Sequence, residues 1–277
     1  MRIKMWGVRG SIPTPGPSTV EFGGNTSCYE VRCGDTLLVL DGGTGLRLLG
    51  QELLGEMPIE AWMFFSHVHW DHIQGFPFFT PAFVRGNVIH LYGGLNVSRT
   101  LEETLAGQMD YPSFPVHLSE MGAKMTFHDL YEGEEITVGA KRDVRVTNAR
   151  GNHPNGVYAY RFDHEGKSVA YVTDSEHYSI VDPKLVKLAK GADVLIFDAM
   201  YTPEEYAGHV GGGSKAGWGH ATYAAGAELA IAAGAKQLVL HHHDPNQTDD
   251  MVREKERRAR ELFPNTIAAR EGLVIDL

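Results

Sequence analysis

Short hydrophobic runs recur along the chain and alternate with polar or amphipathic stretches. The runs are rich in β-branched and aromatic residues, and glycine or proline turns separate most of them, which is the pattern of buried strands. We predict strands at 2–8, 27–32, 36–40, 61–65, 88–92, 124–128, 135–138, 144–148, 157–162, 168–172, 194–197, 237–240 and 272–277.

Other stretches carry hydrophobic residues at helical spacing, and Ser98 is a suitable N-cap for one of them. We predict helices beginning near 46 and at 73–79, 98–109, 183–190, 222–233 and 249–262. Strands and helices alternate in two sets, and no linker or repeat separates the sets. The pattern therefore predicts one α/β domain, residues 1–277, in which two sheets pack face to face and helices cover their outer sides.

The stretch 66–72 reads Ser-His-Val-His-Trp-Asp-His and follows one of the most apolar runs. A loop at the end of a buried strand is a rigid place from which to present chemistry. In such a loop, His67 and His69 can converge on one point, and Asp71 and His72 on a neighbouring point. Neutral imidazole and carboxylate are the ligands that zinc prefers, with iron or manganese as alternatives. The stretch therefore predicts a metal site.

Further polar residues of metal-binding type follow other predicted strands, namely Asp41, His153, Asp174, Asp198 and the run His241-His242-His243. The carboxylate of Asp41 is predicted to orient the histidine loop by hydrogen bonding, with capping of the next helix as the alternative. A lone histidine such as His153 is more often structural, but the metal stretch still needs partners. Because these residues all end strands, an α/β scaffold should bring them to a shared site.

Composition narrows the class of protein. The net charge of −10 argues against a broad surface that follows a nucleic-acid backbone, so long nucleic acids are not the predicted substrate. The two cysteines, Cys28 and Cys33, form no disulfide framework, which favours a reducing compartment. The first residues of the sequence lack the apolar core of a signal peptide, and no apolar run approaches the ~20 residues needed to span a bilayer. We expect a cytoplasmic protein without membrane attachment.

The segment 208–219 contains six glycines and precedes the tetrad Gly219-His220-Ala221-Thr222. Such a segment is either a mobile lid or a disordered surface loop, and we interpret it as a lid. His220 has two interpretations: a catalytic or substrate-binding residue, or the N-cap of the alanine-rich helix that follows.

On the basis of these residues, the chain resembles the metallo-β-lactamase superfamily. The fold of that superfamily is a four-layer αβ/βα sandwich with a metal centre at one edge. The motif His67-x-His69-x-Asp71-His72 is its specific signature, and the resemblance runs from the Asp41-Gly-Gly-Thr-Gly turn to His242. It implies seven ligands for two divalent ions. One ion would have the ligands His67, His69 and His153, the other Asp71, His72 and His242, and both would share Asp174.

The resemblance is nearest to the phosphodiesterase branch, which includes RNase Z, PhnP-type enzymes and class II cyclic-nucleotide phosphodiesterases. Two features carry it: Asp198 after a strand, and His220 in the Gly-His-Ala-Thr element, whose histidine in that branch faces the scissile phosphate. The long arm with which RNase Z grips tRNA is absent. Zinc is the expected metal, and the run of three histidines leaves His241 or His243 as alternatives to His242.

The resemblance implies hydrolysis of small phosphodiesters, such as cyclic nucleotides, by a hydroxide held between the metals. Asp71 would orient the hydroxide, and His220 would stabilise the transition state or protonate the leaving group. Three other functions remain open: a carbonyl hydrolase such as a thioesterase or lactonase of glyoxalase II type, RNase Z-like RNA processing, and a non-enzymatic metal-held binding module. A flavo-diiron oxidoreductase fits less well because no flavodoxin domain follows. The sequence leaves the choice between monomer and homodimer open.

Overall fold

The computed structural model describes residues 1–94 and 99–277, which form two seven-stranded sheets. The strands of the first sheet are β1 (Arg2–Gly7), β2 (Cys28–Cys33), β3 (Thr36–Leu40), β4 (Glu60–Phe65), β5 (Val88–Gly94), β6 (Lys124–Leu130) and β14 (Val274–Asp276). The strands of the second are β7 (Glu135–Val138), β8 (Val144–Gly151), β9 (Val157–His164), β10 (Lys167–Val172), β11 (Val194–Asp198), β12 (Leu238–His241) and β13 (Thr266–Ala268).

The strand order brings several strand ends to one edge of the molecule. The first sheet has the order β14-β1-β2-β3-β4-β5-β6, with β3 to β6 parallel, and the second has the order β13-β12-β11-β10-β9-β8-β7, with β10 to β13 parallel. All residues of β3 and β11 are buried, as expected for parallel strands that are covered on both faces. The turns that follow these strands can therefore share a site.

Helices cover the outer faces of both sheets. The helices of the described residues are α1 (Gly45–Glu52), α2 (Trp70–Ile73), α3 (Leu101–Gly107), α4 (Pro183–Ala189), α5 (Pro203–Ala207), α6 (Tyr223–Ala233) and α7 (Asp249–Leu262). Of these, α1 and α3 pack on the first sheet, and α4, α6 and α7 pack on the second. One hydrophobic core, which includes Phe64 and Ile196, fills the space between the sheets. A second core lies under α1 and α3, and a third under α4 and α6. The predicted α/β four-layer sandwich is confirmed.

Two helices differ from their predicted bounds. The helix predicted at 73–79 is wrong in its start: α2 begins at Trp70, directly after the extended residue His69, and only a 3-10 turn follows at Phe76–Phe78. The predicted cap Ser98 lies outside the described residues. The helix there begins at Leu101, because the Thr100 side chain accepts from the backbone of Glu103 in a capping box.

The hydrophobic pattern did not predict two short elements. Helix α5 buries no residue and β13 has only three, so neither produces a periodic signal. The last strand spans Val274–Asp276, shorter than predicted. Among the described residues, no helix combines the length and the apolar character that a membrane crossing requires.

Candidate dinuclear metal site

The predicted site residues lie on turns that follow strands at one edge of the molecule. Asp41 follows β3, and the histidine loop follows β4. In the second sheet, His153, Asp174 and His242 follow β8, β10 and β12. Because the carboxyl ends of these strands meet at this edge, the turns come together although they are far apart in sequence.

Three of these turns hold a non-glycine residue in the left-handed backbone region. The φ angles are 58° at Asp41, 48° at Asp174 and 59° at His242. Such conformations cost roughly 1–3 kcal/mol each and concentrate at functional sites, where the surrounding structure enforces them. Strained backbone therefore occurs at three of the residues that were predicted to form the site.

One cluster contains histidines only. Ligand atoms of His67, His69 and His153 lie within 4.8 Å of one another, and Nε2 of His153 is 3.1 Å from Nδ1 of His69. Nδ1 of His153 donates to the backbone oxygen of Gly219 over 2.8 Å. Because this bond occupies Nδ1, the lone pair of His153 Nε2 faces the other two rings.

The second cluster combines carboxylates and imidazoles. Ligand atoms of Asp71, His72, Asp174 and His242 lie within 4.8 Å of one another, and all four residues are buried. Oδ2 of Asp71 is 3.2 Å from Nε2 of His72 and 3.1 Å from Nε2 of His242. Two imidazoles and a carboxylate thus point at one small volume.

Asp174 lies between the clusters and offers a different oxygen to each. Its Oδ1 is 3.2 Å from Nε2 of His72 and 3.3 Å from Nε2 of His242. Its Oδ2 is 3.7 Å from Nε2 of His67 and 3.9 Å from Nε2 of His153. This is the arrangement expected of a carboxylate that bridges two ions.

The donor set fits two divalent metal ions. Nε2 of His67 and Nε2 of His72 are buried, and neither has a hydrogen-bond partner among the described residues. A buried polar atom without a partner is costly, and a metal ion would remove that cost. Imidazole nitrogens and carboxylate oxygens are also the ligand types of dinuclear hydrolytic centres. The fold and the two clusters together support a dinuclear metal site.

Asp41 holds the histidine loop in place through hydrogen bonds. Its carboxylate accepts from Nδ1 of His72 at 2.8 Å, from the backbone of Ser66 at 2.7 Å and from the hydroxyl of Tyr171 at 2.7 Å. Burial alone would lower the pKa of His72, but the carboxylates around it raise that pKa well above its ordinary value. The orienting role predicted for Asp41 agrees with these contacts. Its side chain makes no cap for α1.

The site also uses residues that the sequence analysis did not select. The backbone N–H of Ser11 donates to Oδ2 of Asp71 over 2.7 Å. At Gly10, a Cβ atom would lie 2.4 Å from the ring of His242, so only glycine fits beside that histidine. The Gly10-Ser11 pair after the first strand was the available signal, but it carries no ligand-type side chain.

Of the three adjacent histidines, His242 joins the clusters and its neighbours do not. His241 belongs to β12 and contacts the hydroxyl of Tyr29 at 2.9 Å. His243 is 2.9 Å from the backbone oxygen of Ala269 through Nε2. The left-handed backbone at His242, with a φ angle of 59°, turns the chain directly after β12, so the three rings point in different directions and only that of His242 is directed at the site.

His220 lies at the junction of the two clusters. Its Nδ1 is 2.9 Å from Oδ2 of Asp198, and its ring is 4.9 Å from that of His242 and 5.2 Å from that of His153. Burial lowers the pKa of His220, but the negative charges nearby, Asp198 foremost, raise it to about 9 overall. Helix α6 is capped by the side chain of Thr222, so the capping interpretation of His220 is wrong.

The segment before His220 forms turns that are largely exposed to solvent. Gly208 ends α5 in the left-handed conformation, and the chain then runs over the surface until Trp218. The lid interpretation of this segment stays a prediction.

Residues 38–243 match the family described as "Beta-lactamase superfamily domain". The chain belongs to this superfamily. A curated member, Ribonuclease Z of Bacteroides fragilis, is 25% identical over 307 residues, which cover 94% of this chain and 95% of that protein. The resemblance predicted from the histidine motif is thereby confirmed.

Solved structures agree with the family. The metallo-β-lactamase fold protein YhfI from Bacillus subtilis superposes with a TM-score of 0.72 at 20% identity, covering 99% of this chain and 98% of that one. A diphosphatase from the PhnP family superposes with a TM-score of 0.70 at 19% identity, covering 100% of this chain and 97% of that one. Because these sequence identities are low, the similarity to the two structures shows a shared fold only.

Proposed function

We propose that this metal-dependent hydrolase cleaves phosphodiester bonds at the edge where the two clusters meet. The observation that carries the proposal is the position of His220, next to both clusters and held by Asp198 through Nδ1. Carbonyl hydrolysis needs charge stabilisation at one oxyanion, which a metal ion can supply. Phosphodiester cleavage builds up more charge and expels an alkoxide, so an additional positioned donor gains value.

In this proposal, two divalent ions are held by the seven predicted residues. The ligands of the first are His67, His69 and His153, those of the second are Asp71, His72 and His242, and Asp174 serves both. The distances from the two oxygens of Asp174 to the two groups of histidines support this division. We propose zinc, because imidazole and carboxylate are its usual ligands, with manganese or iron as alternatives.

The metal ions, when bound, supply Lewis acidity and lower the pKa of a water molecule near them. The protein then has two further tasks. Nδ1 of His220 donates to Asp198, which leaves Nε2 to donate to a phosphoryl oxygen or to the departing alkoxide. The contacts of Asp71 with Ser11, His72 and His242 all involve Oδ2, so we assign Oδ1 the task of orienting the attacking water.

For the substrate, we propose small phosphodiesters such as cyclic nucleotides. The net charge of −10 supports a small substrate, since a negatively charged protein repels a long polyanion more strongly than a small anion. A second candidate, cleavage of RNA, is favoured by the relative named Ribonuclease Z, which aligns over 94% of this chain. The experiment below separates the two.

We also propose that residues 1–277 act as one hydrolase domain in a reducing compartment such as the cytoplasm. Two observations support this. Strand β1 pairs with β14, so the first and the last strand share a sheet. Both cysteines are buried as free thiols.

The test is a comparison of substrates on protein reconstituted with zinc or manganese. Bis(p-nitrophenyl) phosphate and a cyclic nucleotide represent small phosphodiesters, a precursor tRNA with a 3′ extension represents RNA, and a thioester and a lactone represent carbonyl substrates. Asp174→Ala, purified in parallel, is the matched control for contaminating activity. We expect the wild type to hydrolyse the small phosphodiesters and Asp174→Ala to have lost this activity.

Each other outcome has a defined meaning. Efficient cleavage of the precursor tRNA, with slow turnover of cyclic nucleotides, would replace the small substrate by RNA. Turnover of the thioester or the lactone without phosphodiester cleavage would overturn the proposed reaction.

A further inference from the structure

The backbone of Gly219 connects two parts of the site. Its oxygen accepts from Nδ1 of His153 over 2.8 Å, and its N–H donates to Oε2 of Glu176 over 2.9 Å. The φ angle of Gly219 is 86°, and a Cβ atom there would lie 2.2 Å from Nδ1 of His153. The next residue along the chain is His220. The backbone conformation of Gly219 therefore affects both a candidate metal ligand and the candidate donor.

Glu176 is the residue that holds the N–H of Gly219. Glu176 is buried as a residue, and its carboxylate accepts from three donors: the hydroxyl of Tyr206 at 2.6 Å, the N–H of Gly217 at 2.7 Å and the N–H of Gly219. Hydrogen bonds to a carboxylate are roughly twice as strong as neutral ones. Glu176 thus attaches the end of the glycine-rich segment to the body of the protein.

The backbone of Glu176 is fixed as well. The backbone N–H of Glu176 donates to the backbone oxygen of Asn152 over 2.8 Å. In return, the side-chain amide of Asn152 donates to the backbone oxygen of Glu176 over 3.3 Å. Asn152 directly precedes His153. Glu176 therefore contacts the chain on both sides of the hydrogen bond between His153 and Gly219.

We propose that Glu176 is a positioning residue that sets His153 and His220 together. Through Gly219 it aims the oxygen that keeps the proton on Nδ1 of His153, and it fixes the backbone from which His220 extends. This inference deepens the proposed function, since it concerns the same site. It predicts a joint effect on metal affinity and on leaving-group chemistry, which a residue that only stabilises the fold would not produce.

The test compares Glu176→Gln with Glu176→Asp and Tyr206→Phe. Glutamine keeps the size of the side chain but turns an amide donor toward an N–H group. We expect Glu176→Gln to weaken the binding of one zinc equivalent by about 10–100-fold, the effect typical of residues that orient metal ligands. It should also lower kcat more for an alkyl ester than for a p-nitrophenyl ester. Tyr206→Phe removes one of the three hydrogen bonds and should show a smaller loss.

Glu176→Asp keeps the charge and should recover part of both effects, so the inference remains testable if the glutamine variant fails to fold. Zinc affinity is measured by competition with a chelator and does not depend on the substrate class. A loss of affinity in a protein that cleaves no phosphodiester would contradict the proposed function and leave the role of Glu176 intact. Unchanged zinc affinity in both Glu176 variants would overturn the inference.

Discussion

The carboxylate of Asp41 accepts a hydrogen bond from Nδ1 of His72 over 2.8 Å. This bond fixes the ring so that Nε2 faces the oxygens of Asp71 and Asp174. The same carboxylate accepts from Ser66 and Tyr171, so strands β3, β4 and β10 all contribute to the orientation of one imidazole.

We expect Asp41→Asn to weaken metal binding at the cluster that contains His72 by about 10–100-fold, since an amide is a poorer acceptor and presents donors to Ser66 and Tyr171. Tyr171→Phe removes one of the bonds and should weaken binding less. Zinc titration with a competing chelator measures both. Equal affinities in Asp41→Asn and the wild type would show that Asp41 does not orient the site.

Asp174→Ala should lose both metal ions. The substitution takes a ligand from each cluster and the negative charge that offsets the repulsion between two cations. Metal analysis after purification without chelators should give about two equivalents for the wild type and well below one for the variant. Asp276→Ala, at an exposed position of β14, is the control that should keep both ions. If Asp174→Ala retained two ions, the bridging role would be wrong.

His220→Ala should keep its metals and lose turnover. General acid catalysis contributes about 10²–10⁴-fold, and the loss should approach that range for an alkyl leaving group and be smaller for p-nitrophenolate. Asp198→Asn should change kcat in the same direction but less, because Asp198 acts through His220. His209→Ala, in the exposed segment, is the matched control. An equal loss on both leaving groups would indicate a binding role for His220.

Lys255 gives the protein a pH-dependent stability. Its ammonium group is buried, with Nζ 2.6 Å from the oxygen of Ala199 and 2.7 Å from Oε1 of Gln247. Burial lowers the pKa of Lys255 to about 7 from 10.5, and Glu205 and Asp244 offset only part of this. Between these two values the unfolded chain binds one more proton than the folded chain. The contribution of Lys255 to the free energy of unfolding therefore rises with pH across this window.

The corresponding variant is Lys255→Met. Each pKa unit is worth about 1.4 kcal/mol, so the wild type should gain up to a few kcal/mol relative to this variant between neutral pH and about pH 10. Urea denaturation of both metal-free proteins at several pH values measures the difference. Lys236→Met, which removes an exposed ammonium group beside Asp193, is the control for the loss of one lysine at the surface. A pH-independent difference between the wild type and Lys255→Met would contradict the shifted pKa.

Local features of the sequence determined much of this protein. The apolar runs predicted thirteen strands near their observed positions, because burial on both faces of a sheet demands continuous hydrophobic residues. The stretch from Ser66 to His72 predicted a metal site, because four side chains of metal-binding type lie within seven adjacent residues. The superfamily followed from the same stretch. Element ends were less certain where caps or short turns decide them, as at Thr100 and Trp70.

The tertiary structure alone decided how distant residues share the site. The two oxygens of Asp174 face different histidines, Gly10 makes room for His242, and Glu176 holds Gly219 against His153. Each relationship joins residues from turns that are separated in sequence and meet only after the two sheets pack. Hydrophobic periodicity reports which side of an element is buried. It carries no information about which carboxylate or glycine from another turn will lie opposite, because that depends on strand order, register and backbone angles across the whole fold.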